Sequence, residues 1–189
     1  QYNQVHIPGA NARGTNFVVA PDRVYIIQEN HCLVLDPLTG DTLQTIELPA
    51  LPNSKEPDAW GYIGVYEDYL IAGAGFVSYL DFIPIDPKVE KNKRSFYNYD
   101  KTSSKHLVVM NRHTGEALWT FTSSLGLRHN AIAVGNGKIF CIDKMPDLAE
   151  QTLKRRGRQF AGTPRLLAFD ILTGNLLWTE SRQVFGSWL

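Results

Sequence analysis

The stretch that decides the fold lies near the end of the chain, at residues 168–178, and reads AFDILTGNLLW. An apolar run leads into Asp170, whose carboxylate can accept hydrogen bonds from backbone N–H groups two or three residues later and so start a turn. Gly174 can adopt a positive φ without a Cβ penalty, which closes a hairpin turn. A second extended run ends at Trp178. The stretch therefore predicts a strand, a tight turn and a returning strand.

Two weaker copies of this stretch lie upstream, VLDPLTGDTLQ at residues 34–44 and VMNRHTGEALW at residues 109–119. All three place Asp or Asn, then Thr-Gly, then Leu at one spacing. A single copy is typical of an ordinary hairpin, whereas three copies in register indicate an internal repeat. Repeats of this size are typical of propellers and solenoids, and a solenoid would show a shorter and stricter period.

Length and charge exclude several classes of protein. The 189 residues suffice for one moderate domain. The 19 basic residues equal the 19 acidic ones, which argues against a general nucleic-acid-binding protein. No apolar run reaches the length of a membrane span. No targeting signal is visible, and the start at Gln1 is consistent with a leader that was removed or never included.

The two cysteines, Cys32 and Cys141, fit neither a disulfide framework nor a metal knuckle. Both lie in apolar strand patterns, which favours buried free thiols. A mutual disulfide would require their two strands to meet.

Apolar runs separated by turn residues predict four short antiparallel strands in each repeat, the content of one propeller blade. The predicted units cover about 15–48, 60–122 and 130–180, with the start of a further unit at 184–189.

Insertions interrupt the second and third units between their second and third strands. The first insertion is predicted to run from residue 76 to 105, and the second from 145 to 164. A short helix is predicted at 147–156, because an acid stands at its start and bases at its end. In a propeller, these loops and the loops that join blades emerge on one face, where binding usually resides.

The repeated stretch resembles the tryptophan-docking motif of the pyrroloquinoline-quinone (PQQ)-like β-propellers, or quinoproteins, which runs Ala, x, Asp, two residues, Thr-Gly, three residues, Trp. The third copy matches the motif fully, at Ala168, Asp170, Thr173, Gly174 and Trp178. The second copy keeps Thr114, Gly115 and Trp119 but has Val109 and Asn111. The first copy keeps Asp36, Thr39 and Gly40 but has Val34 and Gln44.

The resemblance implies an all-β fold, a partial β-propeller of about three four-stranded antiparallel blades. In this family the outer-strand Trp is expected to stack on the turn of a neighbouring blade, so Trp119 and Trp178 are expected to be structural. Propellers use roughly four to eight blades, so remaining blades of the same chain, or a protein partner, are expected to complete the ring. Exposed blade edges favour self-association. The resemblance implies a periplasmic or extracellular location.

The family divides by function. Some members are dehydrogenases that bind PQQ and calcium and oxidise alcohols or sugars; others are scaffolds, such as the lipoprotein of the outer-membrane barrel-assembly machinery. The chain has no vicinal Cys-Cys pair and no evident set of oxygen ligands for calcium. The first hypothesis is therefore a non-catalytic binding or scaffold module without cofactor or metal, acting through its inserted loop face. The alternative is part of a PQQ-dependent oxidoreductase that binds PQQ and calcium.

The best candidates for a binding site stand just before the innermost strands, which crowd the propeller axis. These candidates are Trp60, Arg128, His129, Asn130 and Trp188. The alternative interpretation is that Trp60 covers a blade edge and His129 is a hydrogen-bonded loop residue. No Ser or Cys stands at a spacing that indicates a partner for proton transfer by His129.

Two further groups were considered. One basic cluster is a candidate contact for an anion or a protein partner, or else the solvated end of the insertion helix. It consists of Lys154, Arg155, Arg156 and Arg158. The aromatics Phe96, Tyr97 and Tyr99 form either a recognition surface or a cover for blade edges. The histidines show no metal-ligand spacing.

Overall fold

The computed structural model describes residues 16–52, 58–78, 99–155 and 162–182, together with Phe82, Gly157 and Val184. Nearly all of these residues lie in antiparallel strands or the turns between them. The strands are β1 (Phe17–Val19), β2 (Val24–Gln28), β3 (His31–Leu35), β4 (Thr42–Glu47), β5 (Trp60–Tyr66), β6 (Tyr69–Ser78), β7 (Tyr99–Asn111), β8 (Ala117–Gly135), β9 (Lys138–Asp143), β10 (Arg165–Asp170) and β11 (Leu176–Glu180). One helix, α1, spans Asp147–Arg155.

The three Thr-Gly turns are built as their sequence predicts. The Oδ1 atom of Asp170 accepts hydrogen bonds from the backbone N–H groups of Leu172 at 3.1 Å and Thr173 at 2.8 Å. Asp36 and Asn111 make the same pair of bonds in their own turns. The glycine of each turn has a positive φ, between 71° and 78°. These local bonds fix where each third strand ends and each fourth strand begins.

The first repeat is a separate four-stranded sheet in the order β1-β2-β3-β4. The remaining strands form one seven-stranded sheet in the order β11-β10-β9-β8-β7-β6-β5. All neighbours in both sheets are antiparallel.

The seven-stranded sheet contains two four-stranded units because both use strand β8. Residues Ala117 to Thr122 of β8 pair with β7, and residues Ile132 to Gly135 pair with β9. Unit two is therefore β5, β6, β7 and the first part of β8, and unit three is the last part of β8 with β9, β10 and β11. The sequence analysis ended unit two at about residue 122 and began unit three at about residue 130. In the structure the residues between these bounds lie within β8, where Leu127 pairs on both sides.

The first insertion is shorter than predicted. Strand β6 continues to Ser78 and β7 begins at Tyr99, so residues assigned to the insertion extend the sheet instead. The extension is stable because Val77 is almost completely buried and Ser104 pairs with Phe76. Helix α1 was correctly predicted within the second insertion. Of the predicted further unit at 184–189, only Val184 is described, and Phe96 and Tyr97 also lie outside the described residues.

Two apolar cores hold the three units together, and unit two lies between them. Alternate residues of its strands point in opposite directions: Leu70 and Met110 enter the first core with unit one, whereas Ile71 and Val109 enter the second core with unit three. Each fully buried side chain of this size stabilises the fold by roughly 1.5–3 kcal/mol. Because successive side chains of a strand point to opposite faces, unit two packs on unit one through one face and on unit three through the other.

The two cysteines lie in different cores, Cys32 in the first and Cys141 in the second. Both are free thiols, as their apolar surroundings predicted. Burial raises the pKa of each thiol to about 12, which keeps both protonated near neutral pH. Within the described ranges, no helix is long and apolar enough to cross a membrane.

Candidate functional site

Both insertions leave the sheet at one end, which we call the insertion end. The first follows Ser78 at the end of β6, and the second follows Asp143 at the end of β9. Strand pairing places Leu127 beside both Asp143 and Ser104, so the middle of β8 lies at this end too. The three Thr-Gly turns lie at the opposite end, where each third strand meets its fourth.

A buried polar cluster lies beneath the insertion end and consists of Ser103, Ser104, Arg128 and His129. The Nε2 atom of His129 lies 2.8 Å from the Oγ atom of Ser104. The Nη1 atom of Arg128 donates a hydrogen bond to the Oγ atom of Ser103 at 3.1 Å. Both serines are fully buried, and His129 is only 2% exposed. The serine partner of His129 stands 25 residues earlier in the chain, and the sequence analysis missed it.

Two glycines make room for this cluster. A Cβ atom at Gly61 would lie close against the Ser104 hydroxyl and 2.8 Å from the His129 ring, and one at Gly73 would lie 2.8 Å from Ser104 Oγ. Real Cβ atoms do not approach other atoms this closely, so the cluster requires glycine at both positions.

Aromatic rings complete the surroundings of His129. The centroids of the Tyr62 and Phe76 rings lie 6.4 Å and 6.3 Å from its ring centroid. Burial raises the pKa of the Tyr62 hydroxyl. Serine and histidine within hydrogen-bonding distance are the parts of an activated nucleophile. Because Ser104 is fully buried, this pair is closed to substrate and supports the end of the sheet as a polar network.

The structure brings together only some of the candidate site residues. Arg128 and His129 are neighbours in the polar cluster, and Asn130 is exposed beside them. Trp60 is 4% exposed in the first core, and its Nε1 donates to the Asn30 carbonyl oxygen at 3.1 Å. Trp60 thus joins units one and two. Trp188 lies outside the described residues.

An ion pair that the sequence analysis missed holds the middle of β8. The carboxylate of Asp143 is completely buried and accepts hydrogen bonds from the backbone N–H groups of Ser124, Leu125 and Gly126 at 3.1, 2.8 and 2.9 Å. It also pairs with Nη2 of Arg165 at 2.6 Å. The two residues flank the second insertion, so they fix both of its ends and the crossing of β8 between the units. The sequence feature that could have indicated this ion pair is the acidic residue at the end of the apolar strand β9.

The basic cluster is only partly described. Lys154 and Arg155 are exposed in the last turn of α1, and the Nζ atom of Lys154 lies 2.7 Å from Oε1 of Glu150. This pair, four residues apart on a helix, is typical of a solvated face. Arg156 and Arg158 lie outside the described residues.

Another histidine, His106, lies beside the cluster in β7. Its Nδ1 atom is 3.0 Å from Oγ1 of Thr122. Burial lowers the pKa of His106; the Asp58 carboxylate opposes this shift and Lys105 adds to it. His106 is therefore held neutral near neutral pH.

The described residues do not fit a calcium site. In the part of the chain that the structure describes, no three His, Cys, Asp or Glu side chains converge to hold a metal ion. Calcium requires six to eight oxygen ligands around one point.

At the opposite end, the fourth strands of units one and two each contact the Thr-Gly turn of the next unit. Trp119 donates a hydrogen bond from Nε1 to the carbonyl oxygen of Ile171 at 2.8 Å. A Cβ atom on Gly174 would lie 2.6 Å from the Trp119 ring, so the indole lies directly against this glycine. In the first unit, Gln44 takes the equivalent position and donates from Nε2 to the Thr114 carbonyl oxygen at 2.9 Å.

Three four-stranded units thus stack face to face, and units one and two are each joined to the turn of the unit that follows. The chain folds as a partial β-propeller. The all-β fold, the four-stranded units and the positions of both insertions agree with the prediction.

Comparisons with known proteins give similarity of structure only. No family model and no curated protein sequence matches the chain. Among solved structures, BamB from Moraxella catarrhalis is similar over 86% of this chain and 34% of its own, with 14% identity and a TM-score of 0.44. The WD40 repeats of RRP9 are similar over 86% of this chain and 37% of their own, with 11% identity and a TM-score of 0.49. The chain spans about a third of the length of each.

Proposed function

We propose that this chain is a non-catalytic protein-binding or scaffold module that presents its insertion end to a partner. The observation that carries the proposal is the position of the two insertions, which leave neighbouring units at the same end of the sheet. Loops held on a rigid scaffold are the usual carriers of binding in such folds. We also propose that the repeats are of the PQQ-like type and that the protein acts in the periplasm or outside the cell, on the basis of the motif at 168–178.

The base of the insertion end is suited to hold loops in fixed positions. Asp143 and Arg165 form an ion pair at 2.6 Å where the second insertion begins and ends. Beneath the first insertion, Ser104 and His129 are hydrogen-bonded and buried. A preorganised base lowers the entropy that binding must offset, which favours affinity.

The basic residues in the last turn of helix α1 favour an acidic partner surface. Arg155 is exposed in its last turn, and Arg156 and Arg158 follow in the sequence. Lys154 is exposed as well, although Glu150 neutralises part of its charge. Basic residues at the rim of a binding surface mainly raise the rate of association and its salt dependence.

Site-specific photo-crosslinking tests this proposal. A photoreactive residue replacing Arg155 samples the insertion end, and one replacing Leu172, which is 64% exposed in the third Thr-Gly turn, samples the opposite end as a matched control. In an extract of the source organism, we expect one defined protein adduct from position 155 and none from position 172. Equal labelling at both positions, or none at 155, would contradict the proposal.

A charge reversal then tests the character of the surface. Arg155→Glu is expected to weaken binding of the crosslinked partner several-fold at low salt and less at high salt, because exposed charges are screened. Lys138→Glu, on a lysine at the opposite end where β9 begins, is the control and is expected to leave binding unchanged. A partner that binds the Arg155 variant with unaltered affinity would exclude an acidic contact there.

The dehydrogenase alternative has a direct test of its own. PQQ and calcium are added to the protein, and quenching of tryptophan fluorescence and alcohol-dependent reduction of a dye are followed. We expect neither signal from this chain. Saturable quenching followed by dye reduction would replace the scaffold proposal with a quinoprotein one.

A further inference from the structure

The two insertions leave the sheet on either side of a single residue, Gly126 in the middle of β8. A Cβ atom at Gly126 would lie 2.8 Å from Cγ2 of Val77, the next-to-last residue of β6. The carbonyl oxygen of Gly126 accepts a hydrogen bond at 2.9 Å from the N–H of Lys144, the first residue after β9. Glycine at this position therefore lets the start of the first insertion approach the start of the second.

A small apolar cluster joins the two insertions. It contains Met145 and Leu153 of the second insertion, which are 4% and 3% exposed, and Phe82 of the first insertion packs against this pair. Met145 precedes α1 and Leu153 lies within it, so the cluster includes both the entry to the helix and the helix itself. The two cores of the sheets do not include these three residues. The insertions are therefore in contact with each other as well as with the sheet.

The burial of Leu153 determines which side of α1 faces outward. Successive residues of an α-helix are about 100° apart around its axis, so the positions two residues before and after Leu153 lie nearly opposite it. These positions are Gln151 and Arg155, and both are exposed. The contact that buries Leu153 thus holds Arg155, the candidate contact residue for a partner, on the outer side of the helix.

Helix α1 depends on this packing because it is short. It has nine residues, and isolated helices of fewer than about 12–15 residues are marginal in water. Most of the stability of a helix in a protein comes from the packing of its apolar face. Among the described side chains of α1, Leu153 is the buried apolar one, and Phe82 packs against it from the first insertion. The first insertion therefore helps to hold the helix in place.

We propose that Phe82 is a positioning residue, through which the first insertion fixes α1 and the two insertions act as one recognition surface. The inference rests on the proposed function of the insertion end and adds the side chain that sets its geometry. A partner that contacts Arg155 then depends on Phe82 without touching it. Loss of the Phe82 ring leaves α1 to be ordered on binding, and that ordering costs affinity.

The two methionines of the chain probe this contact without a partner. Met145 lies in the cluster, whereas Met110 is fully buried in the first core. Hydrogen peroxide converts methionine to its sulfoxide, and a buried methionine reacts only when its surroundings open. In Phe82→Ala, we expect Met145 to be oxidised about fivefold faster than in the wild type, because the cluster opens locally, and Met110 to be unchanged. Peptide mass spectrometry measures both rates.

Two further variants separate the docking of α1 from a general loss of stability. Phe82→Leu keeps an apolar side chain at the contact and should restore slow oxidation of Met145. Phe140→Ala removes a half-buried ring from β9, where it packs on Trp178 and not on the cluster, and should leave Met145 unchanged. Unchanged oxidation of Met145 in Phe82→Ala, or equal acceleration at Met145 and Met110, would overturn the proposal.

Affinity for the partner crosslinked at position 155 then tests the positioning role. Phe82→Ala should weaken binding about tenfold, whereas Phe82→Leu should largely restore it and Phe140→Ala should leave it unchanged. Unaltered affinity of the Phe82→Ala variant, although its Met145 has become reactive, would overturn the positioning role. If no protein is crosslinked at position 155, the proposed function fails, and the methionine measurement still decides whether Phe82 holds α1.

Discussion

The indole of Trp119 lies against Gly174, 55 positions later in the sequence, close enough that a Cβ atom on that glycine would be 2.6 Å from the ring. The same indole donates a hydrogen bond to Ile171. The fourth strand of unit two therefore packs directly on the Thr-Gly turn of unit three.

Trp119→Phe is expected to lower the free energy of unfolding by about 1–2 kcal/mol, because it removes one hydrogen bond and some contact area. Leu118→Ala, at the adjacent and exposed position, should change it by less than about 0.5 kcal/mol. Urea unfolding followed by circular dichroism measures both. Equal effects would mean that Trp119 does not join the two units.

Gly174→Ala is expected to cost about 1–2 kcal/mol for a positive φ, plus about 1–3 kcal/mol for displacing the Trp119 ring. Gly137→Ala should show the first cost alone, since its φ is 66° and the space around it is open. In a Trp119→Ala background, the cost of Gly174→Ala should fall to that of Gly137→Ala. A double-mutant cycle by urea unfolding gives the coupling energy directly; an additive result would refute the contact.

Asp143→Asn is expected to destabilise the protein by about 2–4 kcal/mol. The variant replaces the buried carboxylate by a neutral amide, which neither neutralises Arg165 nor satisfies all three backbone N–H groups. Hydrogen exchange at Ser124, Leu125 and Gly126 should accelerate together. The control is Glu180→Gln, which breaks an exposed pair with Arg182 and should leave stability unchanged within the error of the measurement. Unchanged exchange at residues 124–126 would contradict the anchoring role of Asp143.

The protein should lose stability as the pH falls below about 6.5, the pKa of an unperturbed histidine. Burial lowers the pKa of His106 in the folded state, so the unfolded chain binds the proton first and acid favours unfolding. His106→Asn should flatten this slope between neutral pH and the lowered pKa. His31→Asn, at an exposed position, is the control and should preserve the slope. Thermal unfolding across this pH range decides the matter; an identical slope without His106 would disprove the assignment.

The sequence was informative wherever a structure is determined by neighbouring residues. The Asp170 turn could be predicted because its carboxylate bonds to Leu172 and Thr173. The turn at Asn136 and Gly137 likewise follows from two residues that tolerate positive φ. Helix α1 was recognisable from its own charges.

The sequence was uninformative where distant residues determine the result. The bond between Ser104 and His129 depends on the register of β7 with β8, which no local pattern contains. The sequence analysis left residues 123–129 between units two and three. In the structure they lie in β8, where Asp143, 17 to 19 residues later, accepts the N–H groups of Ser124, Leu125 and Gly126.

Because of strand β8, the boundary between units two and three differs from the boundary between units one and two. Units two and three have one backbone in common across their boundary, whereas unit one is joined to unit two by side chains and a connecting segment. Under a pulling force applied at the two ends, unit one would peel away first, and the other two would resist as a single body. A rearrangement that separated unit three from unit two would have to cut β8 through its middle, whereas one that removed unit one would leave β8 intact.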